Sequence, residues 1–322
     1  MDGRYYFVIG VKNQKSLGKV LLYTSLDFEN WNLVGEIKTD YNDFGYMWEC
    51  PNLFKIEGQD ILIFSPQGLE KEEFKYQNIY QSGYIKGKLD YDTLNFNHDE
   101  FKELDLGMDF YAPQIFQDNK GRTIMYGWMG LPEEEEYQPT SALGWAYSFT
   151  MPRELTLRDG LIYQSPISEM KDLRIQRIEH CENQTLNNWN SNNIKNNSYE
   201  LILDLENIDS DILELKFAKS ENEYSLLKLD FKNNIGILDN TNRANGPKLI
   251  RKFILKNESK YKINMFVDKS SVEIYLQDGR EVLSSRIYPN ETSTQVSISS
   301  ISGNIKINNL EVYTLGGIIY GK

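Results

Sequence analysis

The chain has 322 residues with 35 basic and 47 acidic side chains, and its formal net charge of −12 opposes binding to nucleic acid or to an anionic membrane. With 40% hydrophobic and 25% charged residues it has the composition of an ordinary globular protein, long enough for two domains with separate cores, which excludes general disorder. Its longest apolar runs, such as residues 5–11 and 61–64, cannot span a bilayer, and two cysteines and two histidines exclude a disulfide framework and a histidine-rich metal site.

In chain order, strand signals come first. Residues 5–9, 19–24, 61–64 and 123–128 are aromatic, β-branched and aliphatic runs bounded by Gly, Asp, Asn or Ser. The first half therefore reads as all-β. Short helical patches are expected only around residues 69–74 and 167–173, where no long apolar stripe is sustained. Aromatic residues form 13% of the chain, a fraction that favours strands and also suits carbohydrate sites.

A weak repeat lays residues 51–64 on residues 113–126, with Pro51 on Pro113 and Phe54 on Phe116, each followed by a turn and an apolar strand. The start of the chain matches only the latter half of this unit, since residues 2–8 lie on residues 120–126. Units of roughly 60 residues made of several strands mark propeller blades, so the chain is expected to begin inside a blade. After Arg174 the texture changes to an Asn-rich stretch. From Tyr199 onward, alternating strands at residues 200–203, 213–217, 225–229, 261–267 and 272–276 suit an antiparallel sandwich. The expected organisation is a partial propeller over residues 1–174, a linker over 175–198 and a β-sandwich over 199–322.

The candidate chemistry sits at the start of each repeat. In Tyr46-Met47-Trp48-Glu49-Cys50-Pro51, a carboxylate lies among aromatic and sulfur side chains. A desolvated carboxyl keeps its proton toward neutrality, as a proton donor must, whereas the plainer reading of Glu49 is a partly exposed strand-end residue. Asp109 occupies the corresponding segment of the next unit, Asp109-Phe110-Tyr111-Ala112-Pro113. Innermost strands of successive blades converge on one channel, so Glu49 and Asp109 are expected to face one substrate as a glycosidase carboxylate pair. Alternatively, Asp109 caps the loop after Gly107. Cys50 either tunes Glu49 or is a small buried strand residue. Tyr111 and Trp128 either border a sugar or belong to the core. Asp268 and Glu273 are expected at a turn and on a solvated face, and the acidic run 133–136 in an exposed loop.

The segments Met47-Trp48-Glu49-Cys50-Pro51-Asn52-Leu53-Phe54, Asp109-Phe110-Tyr111-Ala112-Pro113-Gln114, Tyr126-Gly127-Trp128-Met129, Met151-Pro152-Arg153-Glu154-Leu155 and Phe266-Val267-Asp268-Lys269-Ser270-Ser271-Val272-Glu273-Ile274-Tyr275 resemble, in order, the motifs of glycoside hydrolase family 32. That family includes invertases, β-fructofuranosidases and sucrose-6-phosphate hydrolases. The resemblance implies an all-β chain, an incomplete five-bladed β-propeller followed by a C-terminal β-sandwich. It also implies retaining cleavage of a fructosyl bond, with Glu49 as general acid/base and Asp109, Cys50, Tyr111 and Trp128 around the substrate. The substrate is expected to be a small sugar, whether sucrose, sucrose 6-phosphate or a fructan, with no cofactor and no metal.

One departure is large. The family's nucleophile is the Asp of an Asn-Asp-Pro-Asn-Gly motif, and an Arg-Asp-Pro motif holds fructose hydroxyls, yet none of the nine prolines here follows an Asp. The expectation is an N-terminally truncated glycosidase that is inactive alone, because a retaining double displacement lacks its attacking carboxylate. The rival readings are a non-catalytic carbohydrate-binding remnant, or part of a fructan hydrolase or fructosyltransferase. The cysteine usage, together with first residues that lack a basic leader, sets a cytoplasmic expectation.

Overall fold

The computed structural model describes residues 3–317, so residues 1–2 and 318–322, at the outer ends of the two expected domains, lie outside it. Three small antiparallel sheets come first. The first joins β1 (Tyr5–Lys12), β2 (Gly18–Ser25) and β3 (Asn32–Glu36). The second joins β4 (Met47–Ile56), β5 (Gln59–Gln67), β6 (Gly83–Leu89), β7 (Phe96–His98) and β8 (Lys102–Glu103). The third joins β9 (Tyr111–Gln117), β10 (Thr123–Met129), β11 (Ser148–Phe149), β12 (Arg153–Arg158) and β13 (Leu161–Pro166).

The period of two in a strand explains how these sheets stack. On β5, Leu62 and Phe64 face the first sheet, where they join Val20, Leu22 and Trp48 in one core. Ile61 and Ile63 face the third sheet and join Phe110, Met125, Leu155 and Ile162 in another. The middle sheet is thus apolar on both faces, as a propeller blade between two neighbours must be. A close approach holds the first two sheets together: a Cβ on Gly10 of β1 would lie 1.7 Å from the Trp48 carbonyl oxygen of β4, so only glycine fits there.

Two six-stranded sheets form the second part. One has the order β14 (Arg174–Leu186), β25 (Ile305–Leu315), β16 (Tyr199–Asn207), β21 (Lys260–Asp268), β22 (Ser271–Leu276), β23 (Glu281–Arg286). The other has the order β15 (Asn188–Asn190), β24 (Gln295–Ile301), β17 (Ile212–Lys219), β18 (Ser225–Asp230), β19 (Ile235–Asp239), β20 (Ile250–Ile254). Their inner faces bury Leu201, Leu203, Leu215, Phe217, Leu227, Met265, Ile274 and Ile298 in a single core. The architecture is a β-propeller segment followed by a β-sandwich.

The expected linker over residues 175–198 is corrected. β14 pairs along β25 and β15 pairs with β24, so this stretch supplies an edge strand to each sandwich sheet. Edge strands keep polar residues toward water, which is why the stretch shows no apolar run. The Asn-rich part is ordered, with the Glu179 carboxylate accepting from the backbone N–H groups of Asn192 (2.6 Å) and Asn193 (2.7 Å). Of the two helical patches, residues 168–173 form a short 3₁₀ turn between the domains, and residues 69–74 are irregular.

The seam between the domains positions the site. The loop from Asp105 to Asp109 runs along β23, with Leu106 N–H donating to Val282 O (2.8 Å) and Met108 N–H to Ser284 O (2.8 Å). Glu273, expected on a solvated face, is buried here. β22 packs its other face on the propeller, so Glu273 accepts from Arg153 Nη2 (2.8 Å), Met151 N–H (2.6 Å) and Tyr275 O–H (2.8 Å).

Candidate active site

Glu49 and Tyr111 occupy the same position in successive blades. In the β4/β5 ladder the register slips between Glu49 and Asn52, and in the β9/β10 ladder it slips opposite Tyr126 and Trp128, across residues 111–114. The extra residue is Cys50 in one blade and Ala112 in the other, each at φ 48°. A left-handed non-glycine residue at a bulge bends the strand and re-aims the preceding side chain. Here both preceding side chains are aimed at each other, and Tyr111 O–H donates to Glu49 Oε2 at 2.9 Å. Gln67 Nε2, at the end of β5, donates to the Tyr111 oxygen at 3.0 Å. Asn52 fixes the spacing: its Nδ2 donates to Pro113 O (3.0 Å) and its Oδ1 accepts from Ile115 N–H (3.2 Å).

The electrostatics follow from this packing. Burial pushes the Tyr111 phenol well above its ordinary range, and the bond to Glu49 adds to the shift, so the phenol stays a donor. Burial, then the neighbouring Glu49 charge, raise the half-buried Cys50 thiol, which leaves it protonated rather than nucleophilic. Trp128 is half-buried, with its ring 6.5 Å from that of Tyr111 and crossed edge-on by Tyr147 at 4.7 Å.

Asp109 does not meet Glu49 across the channel as expected. Its Oδ2 accepts from Arg286 N–H (2.8 Å) and Ser285 Oγ (3.4 Å) of the sandwich, and burial pushes its pKa up to about 6. The reason is the seam: the loop before β9 is already bound to β23 when it reaches Asp109, so its carboxylate turns to the sandwich and Tyr111 takes the inward place.

Three participants carried no local signal. Gln67 supports the phenol, Tyr80 packs its ring 5.7 Å from that of Tyr111, and Glu133 accepts from the Tyr80 hydroxyl at 3.1 Å. The acidic loop is therefore tied through Tyr80 to the Tyr111 ring, and burial pushes its Glu134 up to about 7. Gln67 and Tyr80 both lie outside the repeat's aligned residues, whereas the Pro51/Pro113 register alone puts Tyr111 on Glu49. Among the described residues, no cluster of three or more His, Cys, Asp or Glu is placed to hold a metal, and no helix is long and apolar enough to cross a membrane.

Residues 1–166 match the glycosyl hydrolases family 32 N-terminal domain, and residues 169–314 match the glycosyl hydrolases family 32 C-terminal domain. The chain belongs to glycosyl hydrolase family 32. A sucrose-6-phosphate hydrolase from Staphylococcus xylosus is 37% identical to this family 32 chain over 305 residues, covering 94% of the chain and 61% of that protein. The structure of sucrose-6-phosphate hydrolase from Lactobacillus gasseri superposes with a TM-score of 0.87 at 26% identity, covering 99% of the chain and 65% of that one. A Bombyx mori family 32 β-fructofuranosidase superposes at 0.81 with 31% identity, covering 98% of the chain and 64% of that one, and a variant of it is solved in complex with sucrose. The chain thus spans 61 to 65% of the length of these family 32 relatives.

Proposed function

We propose that this chain carries the general acid/base half of a retaining fructosidase site acting on sucrose 6-phosphate or sucrose. The observation that carries the reading is the Gln67–Tyr111–Glu49 relay set on paired bulges. Tyr111 donates to Glu49 Oε2, which directs the acid proton to Oε1. From there it passes to the glycosidic oxygen as the bond to the fructosyl carbon breaks. The ionised carboxylate that results keeps the Tyr111 hydrogen bond, so charge forming on Glu49 meets a preorganised donor. In the second step Oε1 takes a proton from the water whose oxygen bonds to the fructosyl carbon, as that carbon's bond to the attacking carboxylate breaks. Half-buried Trp128 and Tyr80 offer apolar faces to the sugar, while Cys50 packs beside Glu49 as a neutral thiol. Asp109 acts on the site through the backbone of the strand that carries Tyr111. The sucrose-6-phosphate hydrolase relative at 37% identity supports the phosphorylated substrate.

The attacking carboxylate is not among these 322 residues, which contain no Asp-Pro pair. The reading therefore expects no release of glucose or glucose 6-phosphate by the purified chain above that of a Glu49→Gln variant, since loss of a nucleophile costs several orders of magnitude. Robust turnover that vanishes in the variant would mean that another carboxylate attacks, and the half-site reading would be wrong.

A further inference from the structure

Where the two domains meet beside β13, the seam holds a cleft of about 590 Å³. Two contacts on its lining pin the domains together. At the turn between β22 and β23, a Cβ on Gly279 would lie 1.7 Å from the Gln164 carbonyl oxygen of β13, so backbone meets backbone there. Beside the 3₁₀ turn, Arg174 Nη2 donates to Glu200 Oε1 of β16 at 2.9 Å. The outer face of a sandwich sheet forms the floor. Leu201, Leu203, Ile263 and Met265 fill the sandwich core, so strand alternation turns Ile202 and Asp204 of β16, with their cross-strand partners Asn264 and Lys262 of β21, toward the propeller.

Several polar groups on this lining are left without partners. The Asn264 amide makes no hydrogen bond, and its Oδ1 is shut off from solvent; a half-turn of the amide exchanges its oxygen and nitrogen, so either can meet a ligand. Asp204 is half-buried, burial raises its pKa, and among the described residues no group donates a hydrogen bond to it. The lining carries four cations against three carboxylates. Arg174 is paired with Glu200 and Lys262 with Asp278. Arg158 and Lys171, both from the propeller, have no carboxylate partner among the described residues, which makes the cleft locally positive on a chain of net charge −12.

We propose that this cleft is a second binding site, for a phosphorylated monosaccharide held between the two domains. The unpaired groups choose the ligand. Arg158 and Lys171 call for a compact anion, whereas Asp204 calls for hydroxyl donors and Asn264 for either role. A bare anion would meet the Asp204 charge, and a neutral sugar would leave both cations unused. A sugar phosphate satisfies both sets, and Ile202, Met170 and the Phe266 ring add apolar surface for the C–H face of its ring. None of the lining residues touches the Gln67–Tyr111–Glu49 relay, so the site is separate from the half-site and does not depend on the function proposed above. Because the floor belongs to the sandwich and the free cations to the propeller, occupancy fastens one domain to the other.

The test titrates the purified 322-residue chain with glucose 6-phosphate in a calorimeter. Saturable binding is expected, and at about a hundredfold excess over the dissociation constant the melting temperature should rise by about 4 °C. Lys171→Glu and Asp204→Ala should each weaken binding at least about tenfold, as loss of a charge-assisted hydrogen bond does. Circular dichroism checks that both fold like the parent, and Arg158→Glu, at an exposed position, replaces Asp204→Ala if that variant does not. Inorganic phosphate and glucose should each bind at least about tenfold more weakly than glucose 6-phosphate. Absence of glucose 6-phosphate binding overturns the proposal, as does binding that the cleft variants leave unchanged. Phosphate binding as tightly as glucose 6-phosphate would make the cleft a simple anion patch, glucose binding as tightly would make it a neutral-sugar site, and either result overturns the proposal. Glu49→Gln should bind like the parent; loss of binding there would move the ligand to the half-site, which overturns the second site and leaves the functional reading standing.

Discussion

Replacing Arg153 with methionine should loosen the two domains from each other. Arg153 sits on β12 of the propeller and is fully buried between the rings of Phe110 (4.9 Å) and Tyr275 (5.5 Å). Its five N–H groups match five hydrogen bonds. Nε and Nη2 donate to Glu273 Oε2, Nη2 also to Ser284 Oγ, and Nη1 to Asp105 Oδ2 and Gln164 Oε1, all at 2.6 to 3.2 Å. Methionine preserves much of the volume but leaves two carboxylates buried without a cation. Removing one partner of a buried ion pair costs about 3–5 kcal/mol, which at roughly 2–4 °C per kcal/mol lowers the melting temperature by about 10 °C. Calorimetry reads the shift, and limited proteolysis of the turn at residues 168–173 reads domain separation directly. A further variant, Arg153→Met with Asp105→Asn and Glu273→Gln, should recover at least half of the loss, because the uncompensated charge and not the missing contact area is the main cost. A melting shift under about 2 °C with unchanged proteolysis would refute the argument, as would a triple variant no better than Arg153→Met.

Two further predictions concern protonation near the site. Burial raises the pKa of Asp109 from its ordinary 3.8 to about 6, so the folded state holds this proton more tightly than the unfolded chain does. Its contribution to stability is full below about pH 4 and is lost as pH rises through about 6. The melting temperature of Asp109→Asn, followed from pH 4 to 7, should therefore fall less than that of the parent, and identical slopes would contradict the assignment. Glu103 and Glu134, each pushed up to about 7 by burial, act in the same direction and set the slope that remains. Cys50 should react slowly with a neutral thiol reagent at pH 7 and faster in Glu49→Gln, which removes the adjacent charge. Peptide mapping of the labelled chain distinguishes Cys50 from the buried Cys181, and an unchanged Cys50 rate would show that Glu49 places no charge beside the thiol.

What could be read from the residues followed their periodicity. β2, β5 and β10 announce themselves because blade faces need β-branched and aromatic residues on alternate positions, and the Pro51/Pro113 register already laid Glu49 on Tyr111. β14 could not be read that way: it is an edge strand of 13 residues with one buried side chain, so its composition is that of a loop. Asp109 and Glu273 resist a reading from sequence for a different reason. Both look polar and local in sequence, yet their partners lie more than 100 residues away, on Arg286 and Arg153, and no local pattern encodes a contact between domains. The inward turn of Tyr111 instead of Asp109 follows from that same contact.

Asn52 gives the site a property that its reacting side chains do not reveal. It joins the second and third sheets solely through main-chain groups of the third, the Pro113 carbonyl and the Ile115 amide. Together with the apolar core that the two sheets share, that bridge sets the spacing of positions 49 and 111. Asn52→Leu would let the sheets shift while both reacting groups remain present. The alignment of the reacting groups thus depends on a residue that takes no part in the chemistry.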